Sequence, residues 1–324
     1  MTNENVKTEN LSNDPQRRKS RSNGRRAFER QKIVFIVALM AIPMLHIAVF
    51  YFYQNFSAII LAFKDMRTDA WTLQNFKTFW TQLTNPIGSN IGLALKNTLL
   101  YFASNTLLVM PISLIMSFFL FKRVKGYAFF QRIFYLPGII SSLVLVTAYT
   151  QFLAPHGPYD SFLSLFGKSV PVQGYLANPD TATKTILIYT IWTGFTTNVL
   201  LYTGAMGRIP YEVLESAKID GVGPWREMAN ICLPLIWPTF SINLLNALTG
   251  ILSAGGPVLL FTQGKYETMT VGYWMFNEIY GDGVVGGTGA YNLISCAGLC
   301  FSAVVVPFSL FVRWLIEKVD IAEY

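Results

Sequence analysis

The chain has 324 residues, of which 52% are hydrophobic and 13% are charged, whereas soluble domains average about 25% charged residues. This composition argues against an ordinary soluble enzyme. The formal net charge is +7, but the positions of the basic residues are more informative than their total, because the apolar residues occur in long runs without charge. We therefore expect the lipid bilayer to surround much of the chain.

Six stretches lack Asp, Glu, Lys and Arg, and each is long enough for a membrane-spanning helix, which needs about 20 apolar residues. They are Ile33–Phe63, Asn97–Phe121, Ile133–Tyr159, Thr185–Gly207, Met228–Gly264 and Gly283–Val312. The fifth stretch contains Gly255-Gly256-Pro257, where a helix is expected to stop. The sequence thus predicts an all-α integral membrane protein with six transmembrane helices.

The basic residues indicate how these helices are oriented. With six crossings, 18 of the 25 Lys and Arg residues lie on the same side as the N-terminus, and seven lie on the other side. Positive charge resists translocation, so the larger group is expected in the cytoplasm. Both termini are therefore predicted to be cytoplasmic.

The N-terminal segment differs from the rest of the chain. Residues 1–32 are basic and poor in apolar side chains, which predicts a disordered cytoplasmic tail attracted to anionic membrane lipid. Nucleic acid is not an expected partner, because the tail lacks the interleaved aromatic residues that stack on bases and leads directly into the first span. Residues 33–324 are predicted to form the six-span domain.

Motifs of catalysis and energy coupling are scarce. The sequence has no G-x-x-x-x-G-K-[ST] loop, so any ATP would be bound by another chain. The predicted spans contain no charged residue, whereas ion-coupled carriers usually keep one at membrane depth. Neither paired catalytic carboxylates nor a Ser-His-Asp arrangement is evident. An ion-coupled secondary carrier and a membrane enzyme acting on lipid or glycan remain alternatives.

Uncharged polar residues recur at helical spacing within three spans. Asn243 and Asn246 share a face of the fifth span, Asn292 and Ser295 share a face of the sixth, and Thr197 lies on the fourth. Such residues commonly allow helices to pack and hydrogen-bond in lipid. They also suit a neutral passage for an uncharged polyhydroxy solute, and the pattern leaves both interpretations open.

The most specific stretch lies between the fourth and fifth spans. Pro210 suits a first helical turn, Glu212 complements the positive helix N-terminus, and Gly221 is a natural C-terminal stop. Pro224 can open a second helix that runs to Leu233-Pro234, where the next span is expected to begin. The pattern predicts a cytoplasmic helical hairpin at about residues 208–233.

This hairpin resembles the EAA loop of permease subunits in binding-protein-dependent ABC importers. The resemblance rests on a short set of residues in the hairpin and just after it. They are Ile209-Pro210-Tyr211-Glu212, Glu215-Ser216-Ala217, Asp220-Gly221, Leu233-Pro234 and Pro238. Ser216 replaces the usual second Ala, and Val222 replaces the Ala after Asp-Gly.

The likeness extends over nearly all of the hydrophobic part and points to the carbohydrate branch that includes the maltose-type importers. Residues similar to that branch occur along the chain from the first span to the C-terminus. They are Asn75-Phe76, Asn97-Thr98, Leu136-Pro137, Trp192 and Gly194, Gly255-Gly256-Pro257, Glu317-Lys318 and Tyr324.

The resemblance implies a type I ABC importer permease fold in the bacterial cytoplasmic (inner) membrane and import of a carbohydrate, such as an oligosaccharide. It implies as partners a second homologous permease chain, two ATPase subunits and an extracytoplasmic solute-binding protein, with ATP and Mg²⁺ bound by the ATPase and no cofactor in this chain. The implied ATPase-coupling residues are Glu215, Ser216, Ala217, Asp220 and Gly221. The candidate residues of the substrate pathway are Trp192, Thr197, Asn243, Asn246, Asn292 and Ser295.

Overall fold

The structure is a computed structural model that describes residues 15–65, 68–85, 90–281 and 289–318; side chains are described from residue 31 onward and, in the last range, from residue 291. The described residues up to 61 form one compact unit and those from 62 onward form another. The described residues are almost entirely helical, and outside the helices one isolated β-bridge pairs Lys64 with Trp71.

Fifteen α-helices lie within the described ranges. They are α1 (Pro15–Ile47), α2 (Gln54–Ala62), α3 (Gln74–Thr84), α4 (Ile91–Ser104), α5 (Met110–Phe121), α6 (Tyr127–Ile139), α7 (Ser142–Leu153), α8 (Pro158–Ser164), α9 (Pro179–Met206), α10 (Tyr211–Ile219), α11 (Pro224–Glu227), α12 (Leu233–Thr249), α13 (Val258–Phe261), α14 (Val271–Tyr280) and α15 (Gly289–Glu317). Three π-helical turns, Ala48–Tyr53, Asn105–Val109 and Met228–Cys232, join α1 to α2, α4 to α5 and α11 to α12.

Four continuous helical segments of the described chain are long and apolar enough to cross a membrane. They are Gln31–Ala62, Ile91–Phe121, Pro224–Thr249 and Tyr291–Glu317. The apolar side chains of the first are exposed almost along its whole length, as expected for a helix surrounded by lipid. These segments agree with the first, second, fifth and sixth predicted spans.

The third and fourth predicted spans differ from simple crossings. The third coincides with two helical segments, α6 and the pair α7 and α8, and these two segments are bent by 109° relative to each other. The third predicted span is therefore not one straight helix. If the bent pair is counted as one span, the described residues hold up to five spans. The fourth falls on the 28-residue helix α9, whose many Thr residues lower its apolar character. The count of six stays a prediction.

The N-terminal boundary also differs from the expectation. Helix α1 begins at Pro15, whereas the sequence predicted disorder through residue 32. A polar segment that leads directly into an apolar helix can extend that helix at little additional nucleation cost. Residues 1–14 lie outside the described residues, and the disorder predicted for them stays a prediction.

The described residues from 62 onward form three apolar clusters, and two of them pack the helices around the hairpin and the loops. The first, here called the hairpin core, comprises Leu114 and Phe118 of α5, Tyr202 and Met206 of α9, and Cys232 and Ile236 of the fifth span. The second, here called the loop core, joins α3, α4, α14 and α15 and contains the T-shaped pair of Phe79 and Phe301. Since each cluster draws on several helices, each fixes the ends of those helices relative to one another.

One buried and one half-buried amide hold the loops beside the loop core. Asn97 on α4 donates hydrogen bonds of 2.8 Å to the carbonyl oxygens of both Glu267 and Met269. Asn75 on α3 donates to the carbonyl oxygens of Ala62 and Lys64, each at 2.9 Å. Two of these carbonyls have a second donor, Thr183 for Glu267 and Asn292 for Lys64, so several side chains share the pairing of the loop backbone.

Candidate functional site

The hairpin at residues 208–233 is a capped helix followed by a tight turn. Pro210 has the extended conformation (φ −57°, ψ 136°) before α10 begins, and Gly221 has φ +68°. The amide of Val222 donates to the carbonyl of Ala217 at 3.0 Å, and the amide of Gly221 donates to that of Lys218 at 3.2 Å. These two bonds form a Schellman motif, and they confirm the predicted stop at Gly221.

The five candidate coupling residues occupy different environments on this hairpin. Glu215, Ser216, Asp220 and Gly221 are exposed, whereas Ala217 is 5% exposed. The hydroxyl of Ser216 donates to the carbonyl of Val213 at 3.0 Å, so its side chain is satisfied within the helix. The hairpin therefore presents polar groups on one face and places its small alanine against the rest of the protein.

Large apolar side chains accompany these polar residues on the exposed surface. Tyr211, Ile219 and Trp225 are 71%, 81% and 59% exposed. Exposed apolar groups of this size beside charged residues are typical of a protein-binding surface. The hairpin thus has both the shape and the surface chemistry of a docking element.

The first arm of the hairpin is packed onto the membrane-spanning helices. Ile209 and Leu214 contact the hairpin core, which includes residues of α5, α9 and the fifth span. A cavity of about 560 Å³ separates part of α10 from the end of α5 and is lined by Lys122, Arg123 and Lys218, among others. Displacement of α10 would consequently shift its contacts with α5, α9 and the fifth span together.

The second arm is not a separate helix, which corrects the prediction of a break at Leu233-Pro234. Helix α11 continues through the π-helical turn Met228–Cys232 into α12, and this segment is one candidate span from Pro224 to Thr249. Pro234 lies in the second position of α12, directly after the wider π turn. The hairpin's second arm is therefore the start of the fifth span.

Sequence reasoning missed the contacts that hold this second arm. The Phe119 and Trp225 rings meet edge to face with centroids 5.7 Å apart, and Lys122 Nζ lies 2.6 Å from Glu227 Oε1. The only signal in the sequence is one basic and one acidic residue at the ends of two spans. No spacing rule connects positions 105 residues apart.

Asn243 is the best-partnered member of the candidate pathway. Its amide donates to Asn198 Oδ1 at 2.6 Å and to the Tyr202 hydroxyl at 2.8 Å. Both partners lie on α9, so these bonds tie α9 to α12. This placement favours the packing interpretation for Asn243, because its donor hydrogens are already used within the protein.

The other pathway candidates fall into two groups. Trp192, Thr197 and Asn246 are exposed on α9 and α12, and Ser295 is half-buried on α15. Asn292 is 4% exposed, and its amide donates to the carbonyl of Lys64 at 2.6 Å, which makes it a loop-anchoring residue like Asn75. Exposed polar groups on apolar helices are the ones still free to line a passage.

Within the described ranges, His, Cys, Asp and Glu side chains form no group of three that could hold a metal ion. The fold and the hairpin together define a helical membrane protein of the transporter class. The chain belongs to the family of binding-protein-dependent transport system inner membrane components, whose family model matches residues 85–321. The membership predicted from the hairpin is thereby confirmed.

Several curated relatives are similar to the chain in sequence. The lactose transport system permease protein LacF of Rhizobium radiobacter is 26% identical over 57% of this chain and 63% of its own length. The probable ABC transporter permease protein YesP of Bacillus subtilis is 25% identical over 60% of each chain. The multiple sugar-binding transport system permease protein MsmF of Streptococcus mutans is 22% identical over 79% of this chain and 88% of its own length. The chain thus spans less than two thirds of the length of the first two relatives.

The fold matches a solved structure. A chain of a bacterial ABC transporter involved in the import of the acidic polysaccharide alginate superposes with a TM-score of 0.74 over 91% of this chain and 99% of that chain, at 24% identity. A second alginate transporter structure, in complex with an alginate pentasaccharide-bound periplasmic protein, gives a TM-score of 0.71 over 88% of this chain and 95% of that chain. The predicted all-α ABC importer permease fold is confirmed.

Proposed function

We propose that the chain is the permease subunit of an ATP-driven, binding-protein-dependent importer of carbohydrate, with an oligosaccharide as the substrate. The single observation that carries this proposal is the hairpin: a capped helix, mounted on the hairpin core by Ile209 and Leu214, with exposed Tyr211, Ile219 and Glu215. A surface of this kind needs a protein partner, and the family to which the chain belongs points to an ATPase.

The residues of the hairpin divide the work of coupling. Glu215 offers a charged contact to the ATPase, and Ala217 allows α10 to approach the membrane helices closely because its side chain is small. The Schellman turn at Asp220-Gly221 keeps the two arms in a fixed relation. A rigid hairpin transmits displacement, whereas a flexible one would absorb it.

ATP supplies the energy for the transport cycle in this scheme. Closure of two ATPase subunits would move the hairpin as a rigid body, and the hairpin core would pass that movement to α5, α9 and α12. Tight binding of solute to one state alone shifts an equilibrium but does not drive net transport, so ATP must stabilise the two access states differently. ATP and Mg²⁺ are held by the partner ATPase, and this chain needs no cofactor of its own.

The substrate class follows from the relatives and agrees with the polar residues. Relatives named for lactose and multiple-sugar transport support a carbohydrate. Exposed Thr197 and Asn246 are uncharged hydrogen-bonding groups, which suit hydroxyl-rich solutes better than ions. Trp192, 41% exposed on the same helix as Thr197, offers a face that can stack on a sugar ring.

The proposed assembly contains this chain, a second homologous permease, two ATPase subunits and an extracytoplasmic solute-binding protein. The proposed location is the bacterial inner membrane with both termini cytoplasmic, supported by the distribution of 18 and seven basic residues on the two sides. That orientation places the hairpin in the cytoplasm, where ATP is available.

The testing experiment is purification of the chain in mild detergent from its native gene neighbourhood, with identification of the proteins that co-purify. Two variants, Glu215→Lys and Gly221→Val, alter the hairpin, and Gly223→Ala serves as control because Gly223 has φ −70° and an added Cβ meets nothing within 4 Å. Recovery of an ATPase and a second permease with the native chain and the control, with loss of the ATPase in the two variants, is the expected result.

Two outcomes would direct the assignment elsewhere. Purification of this chain alone, with solute uptake driven by an ion gradient, would establish a secondary carrier. Turnover of a lipid or glycan by the isolated chain would establish a membrane enzyme.

The substrate class has its own experiment. Proteoliposomes of the complex are tested with radiolabelled lactose, maltotriose and digalacturonate, and the absence of ATP-dependent uptake of all three would refute the carbohydrate class.

A further inference from the structure

The contact between Lys122 and Glu227 joins parts of the chain that are far apart in sequence. Lys122 Nζ lies 2.6 Å from Glu227 Oε1. The Glu227 residue is 6% exposed, and the Lys122 side chain is 35% exposed. A buried carboxylate without a partner is rare, and Lys122 is the partner that Glu227 has at this position.

The position of Lys122 strengthens the contact. Lys122 is the C-cap residue of α5, where a positive charge complements the negative end of the helix. One turn earlier on α5, Phe119 meets Trp225 edge to face at 5.7 Å. The ion pair and the aromatic pair together form a clamp between the end of α5 and the second arm of the hairpin.

The clamp matters because of how the chain is connected. The hairpin is covalently continuous with α9 on one side and with α12 on the other, so those helices must follow its movement. Helix α5 is joined to it only through non-covalent contacts. Among the ion pairs of the described residues, the Lys122–Glu227 pair is the one that connects the hairpin to α5.

We propose that Lys122 and Glu227 are positioning residues that make α5 move with the hairpin, so that the pair sets how much solute is transported per ATP hydrolysed. This inference rests on the proposed function. The hairpin core contact through Leu214 aligns the first arm, and the ion pair fixes the second arm to the same helix. Loss of the pair would leave α5 to follow the hairpin through the apolar contacts of the hairpin core alone, with less of the movement transmitted.

The test compares four variants in the complete complex, reconstituted in proteoliposomes. Lys122→Met removes the cation and leaves the buried carboxylate alone, while Lys122→Arg keeps the charge. Lys122→Met combined with Glu227→Gln removes both charges. Lys125→Met is the matched control, because it removes a lysine from the same loop at an exposed position.

The two readouts are the thermal midpoint of the purified complex and the ratio of sugar taken up to ATP hydrolysed, measured with whichever of labelled lactose, maltotriose and digalacturonate the native complex transports. Lys122→Met is expected to lower the ratio at least about fivefold, the lower end of coupling between distant sites. Lys122→Arg should keep the ratio of the native complex. The double variant should lower the ratio no further than Lys122→Met does, because the two residues act as one unit.

A Lys122→Met complex with a lowered thermal midpoint and an unchanged ratio would overturn the proposal, since the pair would then only stabilise the protein. A loss in the double variant well beyond that in Lys122→Met would also overturn it. A native complex without ATP-dependent uptake of any of the three sugars would instead refute the proposed function, and the midpoints of Lys122→Met and Lys122→Arg would still show whether the pair exists.

Discussion

Replacement of Gly221 by valine tests whether the stiffness of the hairpin matters for coupling. An added Cβ at Gly221 meets nothing within 4 Å, so the cost of the substitution is conformational and not steric. At φ +68° a side chain raises the backbone energy by about 1–2 kcal/mol, and a β-branched residue lies at the upper end. A conformational cost of about 2 kcal/mol lowers the equilibrium ratio of native to distorted hairpin turns about 30-fold.

Two assays report this change. Amide hydrogen exchange should become faster at Gly221 and Val222, whose N–H groups form the Schellman bonds, and sugar-stimulated ATP hydrolysis by the complex should fall while membrane insertion is retained. Gly221→Asn should lie much closer to the native protein, because asparagine tolerates this conformation. Exchange and hydrolysis in Gly221→Val equal to those of Gly223→Ala would refute the reasoning.

Three further substitutions, with Gly204→Ala as a control, test the packing of the spans and the candidate pathway. Asn97→Leu removes the amide donor of the Met269 carbonyl, whereas the Glu267 carbonyl still accepts from the Thr183 hydroxyl, and it should destabilise the protein by about 1–3 kcal/mol, visible as a lower thermal midpoint and faster proteolysis after Lys265. Gly256→Ala places a Cβ 2.5 Å from a side-chain atom of α9 and should cost about 1–3 kcal/mol, whereas Gly204→Ala, with nothing within 4 Å, should be neutral or stabilising in the same melting assay. Asn246→Leu should change the relative uptake of lactose, maltotriose and digalacturonate without lowering the midpoint; an unchanged uptake profile would remove Asn246 from the pathway.

The hairpin and most apolar spans could be predicted from the sequence because local rules fix them. Gly221 could be assigned to a helix stop because few residues other than glycine adopt φ +68° at low cost. Charge-free runs identify spans because a charged group in lipid is expensive. Both arguments depend on residues that are near one another in the chain.

The remaining features depend on tertiary contacts and were therefore not accessible. The 109° bend after α6 follows Pro137-Gly138, a dipeptide that commonly marks a turn, but the charge-free run continues across it and gives no angle. Asn243 and Asn246 share one helical face in the sequence, yet Asn243 bonds to α9 and Asn246 is exposed. Periodicity shows which residues share a face but not which neighbour covers it.

The π-helical turn Met228–Cys232 acts as a one-residue insertion between α11 and α12. One residue of an α-helix corresponds to a rotation of about 100°, so the turn sets the azimuth of the hairpin's second arm about the axis of the span. Deletion of a residue there would rotate Trp225 and Glu227 away from Phe119 and Lys122 without altering any of the four side chains. Insertions and deletions at this point would thus rotate the second arm of the hairpin about the helix axis. Cysteine cross-linking between positions 119 and 225 would measure that rotation.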